Sequence, residues 1–242
     1  VQGLYNHDNG ITWNVISNTF IDYCGYKIYY RRLNSKNYGI PQHRERLYCI
    51  GFRDETDFKF PIPITCDYVM YDFLEDYRGG KYYNKKYDAK ILTHDKSRVK
   101  GLATGTIAPA FNEFVFKCSD VADNHYLSET VANYVLASGT KKFRTSTETD
   151  KDIARPLLQT MHKMHRAGVD NYVTFNKHKG INGLRRLTPR ECLRLMGFSD
   201  EFKQVVSNTA TYMEAGNSIV VDVLIALLKQ MDITKYGVRD EQ

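Results

Sequence analysis

The sequence predicts an α/β fold, on the basis of three observations. A helical pattern and two strand-like patterns follow one another in the first part of the chain, at residues 11–24, 26–33 and 47–52. Two further helical patterns stand near the other end, at residues 188–197 and 218–231. The segment between them is rich in Tyr, Lys and Asp and has weak periodicity. This indicates two α/β segments on either side of a segment with different composition and periodicity.

The elements of the first part follow from residue spacing. The first helix has apolar residues at helical intervals, at Ile11, Val15, Ile16 and Phe20. Gly25 then provides a C-terminal stop. Residues 26–33 alternate and are rich in Tyr, as in a strand, and 34–41 read as a loop. The compact apolar run 47–52 is typical of a buried strand.

The composition and periodicity of the chain change after Pro61 and Pro63, so we place a domain boundary near residue 67. In the segment that follows, residues 129–138 are predicted to form a helix, with Ser128 as its cap and Gly139 at its end. The predicted packed face of this helix consists of Val131, Tyr134 and Val135.

The later helices carry stronger signals. Thr188 and Glu191 form a capping box, Pro189 takes the first helical position, and Gly197 ends the helix. Residues 218–231 form an amphipathic helix, whose stripe is Val220, Val223, Leu224, Leu227, Leu228 and Met231.

The composition of the 242-residue chain excludes several classes of protein. Hydrophobic residues make up 42% and aromatic residues 13%, which is enough for a buried core. The best apolar run, 219–228, is shorter than the roughly 18 residues of a membrane span and contains Asp222, so we expect no membrane partner. Five cysteines without a C-x-x-C pair argue against disulfides or a zinc site, and they fit a reducing cytoplasm.

Positive charge is concentrated in one window. The net charge is +6, and residues 78–100 hold eight Lys/Arg against two Asp. Such a window favours a polyanionic partner, although a solvated charged loop explains it equally well.

A polar pentapeptide, residues 42–46, leads into the second strand. In an extended chain Gln42, Arg44 and Arg46 share one face, while His43 and Glu45 take the other. Two guanidinium forks beside an amide suit phosphate or a nucleobase edge. The alternative is a surface strand end whose arginines pair with nearby acids.

Four segments together resemble bacterial DNA cytosine-5 methyltransferases, in the order that this family has them. They are VQGLYNHDNGITWNVI, LNSKNYGIPQHRERLYCIGFR, GLRRLTPRECLRLMGFSDEF and YMEAGNSIVVDVL. The resemblance implies a Rossmann-like methyltransferase sheet, formed in part by residues 1–66 and 177–242. Residues 67–176 would be an inserted small target recognition domain.

The resemblance also implies roles for the polar residues. Arg44 and Arg46, with Gln42, would hold a flipped cytosine and its flanking phosphate in the catalytic pocket. Around the helix of residues 188–197, Arg185, Arg186 and Arg190 would contact the backbone of double-stranded DNA. Cys192 in that helix has apolar neighbours and no preceding Pro, so we expect it to be inert.

The cofactor that the resemblance implies is S-adenosylmethionine. Gly216, Asn217 and Ser218 are predicted to open the last helix, whose exposed amides can hold an anionic group. Asn217, Ser218 and Ile219 would then lie at the edge of the cofactor. Asn217 and Ser218 could equally well only cap the helix.

Sequence specificity is expected within residues 67–176. Aromatic and basic residues interleave there in two clusters, at Tyr82, Tyr83, Lys85, Lys86 and Tyr87 and at His162, Lys163, His165 and Arg166. Lys85 and Lys86 would bind phosphates. Most of these tyrosines could equally well belong to the core.

Three blocks of the family have no counterpart. The F-x-G-x-G cofactor loop is absent, no cysteine follows Pro, and the Glu-Asn-Val block would end at Val1. We therefore expect the carboxyl-terminal portion of an enzyme, either a fragment or a split subunit, that is inactive without its amino-terminal half. The alternatives are a non-catalytic, sequence-specific DNA-binding remnant and an unrelated basic metabolic protein.

Overall fold

The computed structural model describes residues 2–79, 83–85, 88–92, 114–142, 144, 146–174 and 183–231. It begins with helices α1 (Gln2–Asn6) and α2 (Ile11–Asn18). A π-helix over Thr19–Tyr23 continues α2, and Gly25 follows with a φ of 67°. The helix predicted for residues 11–24 is thus confirmed, with a change of hydrogen-bonding pattern in its last part.

Two antiparallel strands follow, β1 (Lys27–Asn34) and β2 (Glu45–Phe52). Their register places Leu33 opposite Arg46 and Lys27 opposite Phe52. A short 3-10 helix over Ser35–Tyr38 lies in the connection between the strands. Both predicted strands are confirmed within two residues at each end. The expectation of a buried second strand is wrong, because Cys49 and Gly51 in β2 are exposed.

The middle segment has more regular structure than the sequence indicates. Strands β3 (Tyr83–Asn84), β4 (Ala89–Leu92) and β5 (Phe114–Lys117) form an antiparallel sheet in that order. Helix α3 covers Glu129–Val135. Strands β6 (Tyr172–Val173) and β7 (Arg185–Arg186) pair antiparallel.

The structure corrects three details of α3. The helix ends at Val135 rather than at residue 138, and Ser128 stands at the N-cap without a side-chain cap hydrogen bond. Tyr134 is 53% exposed, because the helix buries Ala132 and Val135 instead. The ring of Tyr134 faces outward, with the Arg166 guanidinium 5.5 Å from its centroid.

Three helices close the fold, α4 (Pro189–Arg194), α5 (Asn208–Asn217) and α6 (Val221–Gln230). Periodicity did not predict α5. By length and composition the segment Asn208–Gln230 could cross a membrane, but it is two helices interrupted at residues 218–220, and half of it is buried inside the protein. Such burial is typical of helices in a protein core.

Two hydrophobic clusters organise the described residues. The larger one joins the β1–β2 sheet to α4, α5 and α6, and it also takes in residues beyond position 67, among them Met70, Phe73 and Phe116. The smaller one lies between α3 and the β6–β7 pair and consists of Leu127, Ala132, Val135, Ala167, Tyr172 and Leu184. The division at residues 67 and 176 stays a prediction.

Candidate functional site

The alternation predicted for residues 42–46 is present at the entrance to β2. Gln42 is 0% and Arg44 4% exposed, whereas His43 and Glu45 are exposed. Arg46, on the same face as Gln42 and Arg44, is partly exposed. This face therefore runs from the protein interior at Gln42 to the surface at Arg46.

Gln42 binds two distant backbone segments. Its Nε2 donates to the carbonyl of Leu195 at 2.8 Å, and its Oε1 accepts from the amide of Leu157 at 3.1 Å. The neighbouring backbone is also engaged, since the amide of His43 donates to the carbonyl of Ala154 at 2.8 Å. Both polar atoms of the Gln42 side chain are therefore bound to the protein backbone.

Arg44 binds three backbone carbonyls. Its Nη1 donates to Leu157 O at 2.9 Å, and its Nη2 donates to Gly216 O at 2.8 Å and to Ser218 O at 2.9 Å. Burial, followed by the positive charge of Arg46, lowers the pKa of Arg44 to about 10, so it remains charged at neutral pH. Because Gln42 and Arg44 are buried and bind backbone groups, their positions do not support direct contact with a ligand.

Arg46 is the more accessible of the two predicted arginines. Its Nη1 donates to the carbonyl of the adjacent Glu45 at 2.8 Å. The carboxylate of Glu45 lies 3.4 Å from Arg32 instead. Among the described residues neither Arg44 nor Arg46 pairs with an acid, so the alternative of a salt-bridged strand end does not apply.

The structure corrects the prediction that residues 216–218 open a helix. Gly216 and Asn217 are the last residues of α5, Ser218 is its C-cap, and Val220 is the N-cap of α6. A helix end presents carbonyls rather than amides, and two of them accept from Arg44. The proposed anion-binding amides are therefore absent from residues 216–218.

The 216–219 turn has a buried and an exposed side. A Cβ at Gly216 would lie 2.2 Å from the amide nitrogen of Gln159, so only glycine fits there. Asn217 and Ile219 are exposed, Ile219 by 46%, and Ser218 is partly buried. The side chains assigned to the cofactor edge thus lie at the surface, above a tightly packed backbone.

Arg185 is not positioned to contact DNA. Its side chain is 0% exposed, and its Nη2 donates to Asp76 Oδ1 at 2.6 Å and to Glu191 Oε1 at 2.9 Å. Those two carboxylates raise its pKa although burial opposes them. The prediction is wrong for this residue, because its charge is neutralised inside the protein.

The other predicted DNA contacts are nearer the surface. The Arg186 guanidinium lies 5.5 Å from the ring centroid of Tyr212, and Arg190 Nη1 donates to the carbonyl of Phe202 at 2.8 Å. Both side chains are partly exposed, and Lys85 is exposed. Lys86 lies outside the described residues, as do Tyr82 and Tyr87.

The second aromatic and basic cluster surrounds a 3-10 helix over Met161–Lys163. His165 Nε2 lies 2.9 Å from Thr160 Oγ1, and His162 Nδ1 lies 3.2 Å from Gln159 O. His162 therefore contacts Gln159, whose backbone also packs on Gly216, and His165 contacts the next residue. Lys163 is exposed and Arg166 is partly exposed, so both can meet a ligand.

Burial disfavours the thiolate form of four of the five cysteines. Cys192 is fully buried, and burial raises its pKa well above the ordinary value, which supports the expectation that it is inert. Burial also raises the pKa of Cys66 to about 12 and the pKa values of Cys49 and Cys118. The remaining Cys24 is exposed. In the described part of the chain, no group of His, Cys, Asp or Glu could hold a metal ion.

One participant in this site has no signal in the sequence. Leu157 binds both Gln42 and Arg44 through its backbone, for which no side-chain pattern exists. Outside the site, the buried Arg194 at the end of α4 donates to Asp200 and to the carbonyls of Phe73 and Lys117, which the sequence did not indicate either.

The entrance to β2 and the 216–219 turn, which Arg44 joins, form the candidate functional site of this α/β chain. Residues 1–232 match the model of the family described as C-5 cytosine-specific DNA methylase. The chain belongs to this family.

Two curated relatives illustrate the similarity. The Type II methyltransferase M.HaeII of Haemophilus aegyptius is 30% identical over 96% of this chain and 58% of its own length. The Type II methyltransferase M.NgoBI of Neisseria gonorrhoeae is 29% identical over 95% of this chain and 58% of its own length. The chain thus spans about six-tenths of the length of these relatives.

Solved structures of methyltransferases share the fold. The methyltransferase EhMeth of Entamoeba histolytica superposes with a TM-score of 0.57 at 16% identity, over 95% of this chain and 60% of that one. The Dnmt2 methyltransferase of S. pombe gives a TM-score of 0.59 at 16% identity, over 96% and 63%. The fold is α/β, consistent with a Rossmann-like methyltransferase fold.

Proposed function

We propose that this chain is the carboxyl-terminal part, or one subunit, of a DNA (cytosine-5) methyltransferase. The reaction transfers a methyl group from S-adenosylmethionine to C5 of a cytosine flipped out of double-stranded DNA. Family membership and the Type II methyltransferases among the relatives support a role in a bacterial or phage restriction-modification system. The enzyme acts in the cytoplasm.

The contact between two distant sequence blocks carries this proposal. Arg44 lies at the entrance to β2, where we predict the cytosine to bind. Its guanidinium donates to the carbonyls of Gly216 and Ser218, at 2.8 and 2.9 Å, in the turn where we predict the cofactor to bind. These residues are more than 170 positions apart in the chain. A methyltransferase must hold its base and its methyl donor side by side, and this contact supports such a site.

On the base side, Arg46 is the direct ligand contact. Its partly exposed guanidinium offers several fixed donors to a cytosine carbonyl or a flanking phosphate. Those donors offset the few kcal/mol that extrusion of a base costs. Gln42, bound to the backbone of Leu195 and Leu157, positions the strand that carries Arg46.

On the cofactor side, Asn217, Ser218 and Ile219 contact the edge of S-adenosylmethionine. Their surface positions fit a ligand edge, since an amide, a hydroxyl and an apolar side chain follow one another. The cofactor supplies the methyl group. The buried backbone of the turn fixes where these three side chains stand.

DNA contacts outside the base and cofactor sites come from cationic side chains. Arg186, Arg190, Lys85 and Lys86 bind the DNA backbone, whereas Arg185 is a structural residue of the same region. Residues 67–176 serve as the target recognition domain. Residues 1–66 and 177–242 belong to the catalytic domain.

The cysteine nucleophile and the cofactor loop come from an amino-terminal part. The buried thiols of this chain support that division, and so does its coverage of 58% of its relatives. This part is therefore the protein partner of the chain.

Methyl transfer from labelled S-adenosylmethionine to DNA tests the proposal. The chain alone should transfer no label. It should transfer label when co-expressed with a polypeptide that carries the F-x-G-x-G, Pro-Cys and Glu-Asn-Val blocks. In that complex Arg46→Ala should lower the rate at least about tenfold, since a charged hydrogen bond to the ligand is lost.

Arg53→Ala, an exposed arginine just beyond β2, is the control and should leave the rate unchanged. Label transfer by the isolated chain would contradict the division of the catalytic parts. Specific DNA binding without methylation in the complex would favour the non-catalytic remnant instead.

A further inference from the structure

We infer that Arg44 is a positioning residue that acts on the cofactor site through the 216–219 turn. It couples the strand carrying Arg46 to the turn carrying Asn217, Ser218 and Ile219. This inference rests on the function proposed above, and it assigns Arg44 to cofactor positioning rather than to the base.

A single nitrogen of Arg44 binds the backbone on both sides of Asn217. Its Nη2 donates to the carbonyl before Asn217 at 2.8 Å and to the carbonyl after it at 2.9 Å. Ser218 has already left helical geometry, with a ψ of 161°. The guanidinium therefore fixes the backbone at the point where α5 ends and the chain turns toward α6.

The turn is held from its other side by a second segment. Gly216 packs so closely on residues 158–159 that a Cβ would lie 2.3 Å from Leu158 C and 2.2 Å from Gln159 N. Leu157, next to that segment, accepts from Arg44 Nη1 and donates to Gln42. Arg44 thus connects β2, the 157–159 segment and the turn.

Within the described part of the chain, one side of the turn is exposed and the other is buried. Asn217 and Ile219 are exposed, whereas Gly216 is buried. A shift of the backbone beneath them would move every side chain that we assign to the cofactor edge. The buried cation also offsets the partial negative charge at the carbonyl end of α5.

Lysine cannot replace this arrangement. Arginine presents a planar fork whose two terminal nitrogens point to different carbonyls, whereas lysine offers one point charge. Arg44→Lys keeps the charge but leaves buried carbonyls without a donor, which costs more than the bond itself contributed. The hydrogen bonds that would be lost are those to the turn and to Leu157.

The first test is amide hydrogen exchange on the full 242-residue chain. Arg44→Lys should accelerate exchange at Leu157 and Ser218 about tenfold, because each lost hydrogen bond loosens the segment. Arg53→Lys, an exposed arginine near the same strand, is the matched control and should change neither amide. Unchanged exchange at Ser218 in Arg44→Lys would overturn the coupling.

The second test separates KM from kcat in the complex with the amino-terminal part. Arg44→Lys should raise KM for S-adenosylmethionine about tenfold and leave kcat and KM for DNA within about twofold. Gly216→Ala, whose Cβ would displace the turn from residues 158–159 while the Arg44 side chain is kept, should give the same pattern. An effect confined to kcat or to KM for DNA would place Arg44 on the base and overturn the inference.

The two tests also separate the two proposals. If the complex with unmodified Arg44 transfers no methyl group, the proposed function fails, while hydrogen exchange still decides whether Arg44 holds the turn.

Discussion

At the scale of single residues, His125 shows how burial changes the pKa of a side chain. Its side chain is 6% exposed, and neither ring nitrogen has a hydrogen-bond partner among the described residues. Burial and the charge of Arg186 lower the pKa of His125 from 6.5. Below that pH the unfolded chain takes up a proton before the folded chain does, so acid favours unfolding.

We therefore expect His125→Phe to reduce the acid sensitivity of the fold. Between about pH 7 and pH 5 the free energy of unfolding should fall less in His125→Phe than in the unmodified chain. Urea unfolding at several pH values measures this difference. His43→Asn, at an exposed position, is the matched control, and equal slopes for His125→Phe and the unmodified chain would contradict the assignment.

At the scale of elements, local chemistry determined what could be predicted. Strand β1 followed from alternation, β2 from a compact apolar run and α4 from its capping box, all of which lie within a few neighbouring residues. Helix α5 was missed because its residues lack a clear apolar stripe. The interruption at residues 218–220 was missed because apolar residues run through it, and what stabilises it, Arg44, lies 174 positions from Ser218.

The capping box of α4 supports a prediction at this scale. Glu191 N donates to Thr188 Oγ1 at 3.1 Å, and Thr188 N donates to Glu191 Oε2 at 2.8 Å. Thr188→Ala should lower the free energy of unfolding by about 1–2 kcal/mol, measured by urea denaturation. Ser128→Ala is the control, because Ser128 makes no cap bond at α3, and it should cost under about 0.5 kcal/mol. Equal losses would show that the box contributes nothing.

At the scale of the whole molecule, buried charge holds distant segments together. Arg185 joins β7 to Asp76, which lies 109 positions earlier, and to Glu191 in α4. Glu191 also accepts from the amide of Glu75 at 2.9 Å. Sequence reasoning placed Arg185 in a basic motif but could not supply its partners, because pairing across such a separation exists only in the folded chain. The same limit concealed the partners of Gln42.

Removing the Arg185 charge should therefore destabilise the whole chain. Arg185→Met leaves the carboxylates of Asp76 and Glu191 buried without their cation and should cost about 3–5 kcal/mol in urea unfolding. Arg190→Met removes two carbonyl contacts near the surface, to Ser199 at 3.4 Å and to Phe202 at 2.8 Å, and should cost under about 1 kcal/mol. Adding Glu191→Gln to Arg185→Met should restore part of the loss, because one unpaired charge is then gone. Similar losses for Arg185→Met and Arg190→Met would mean that the buried network does not hold these segments together.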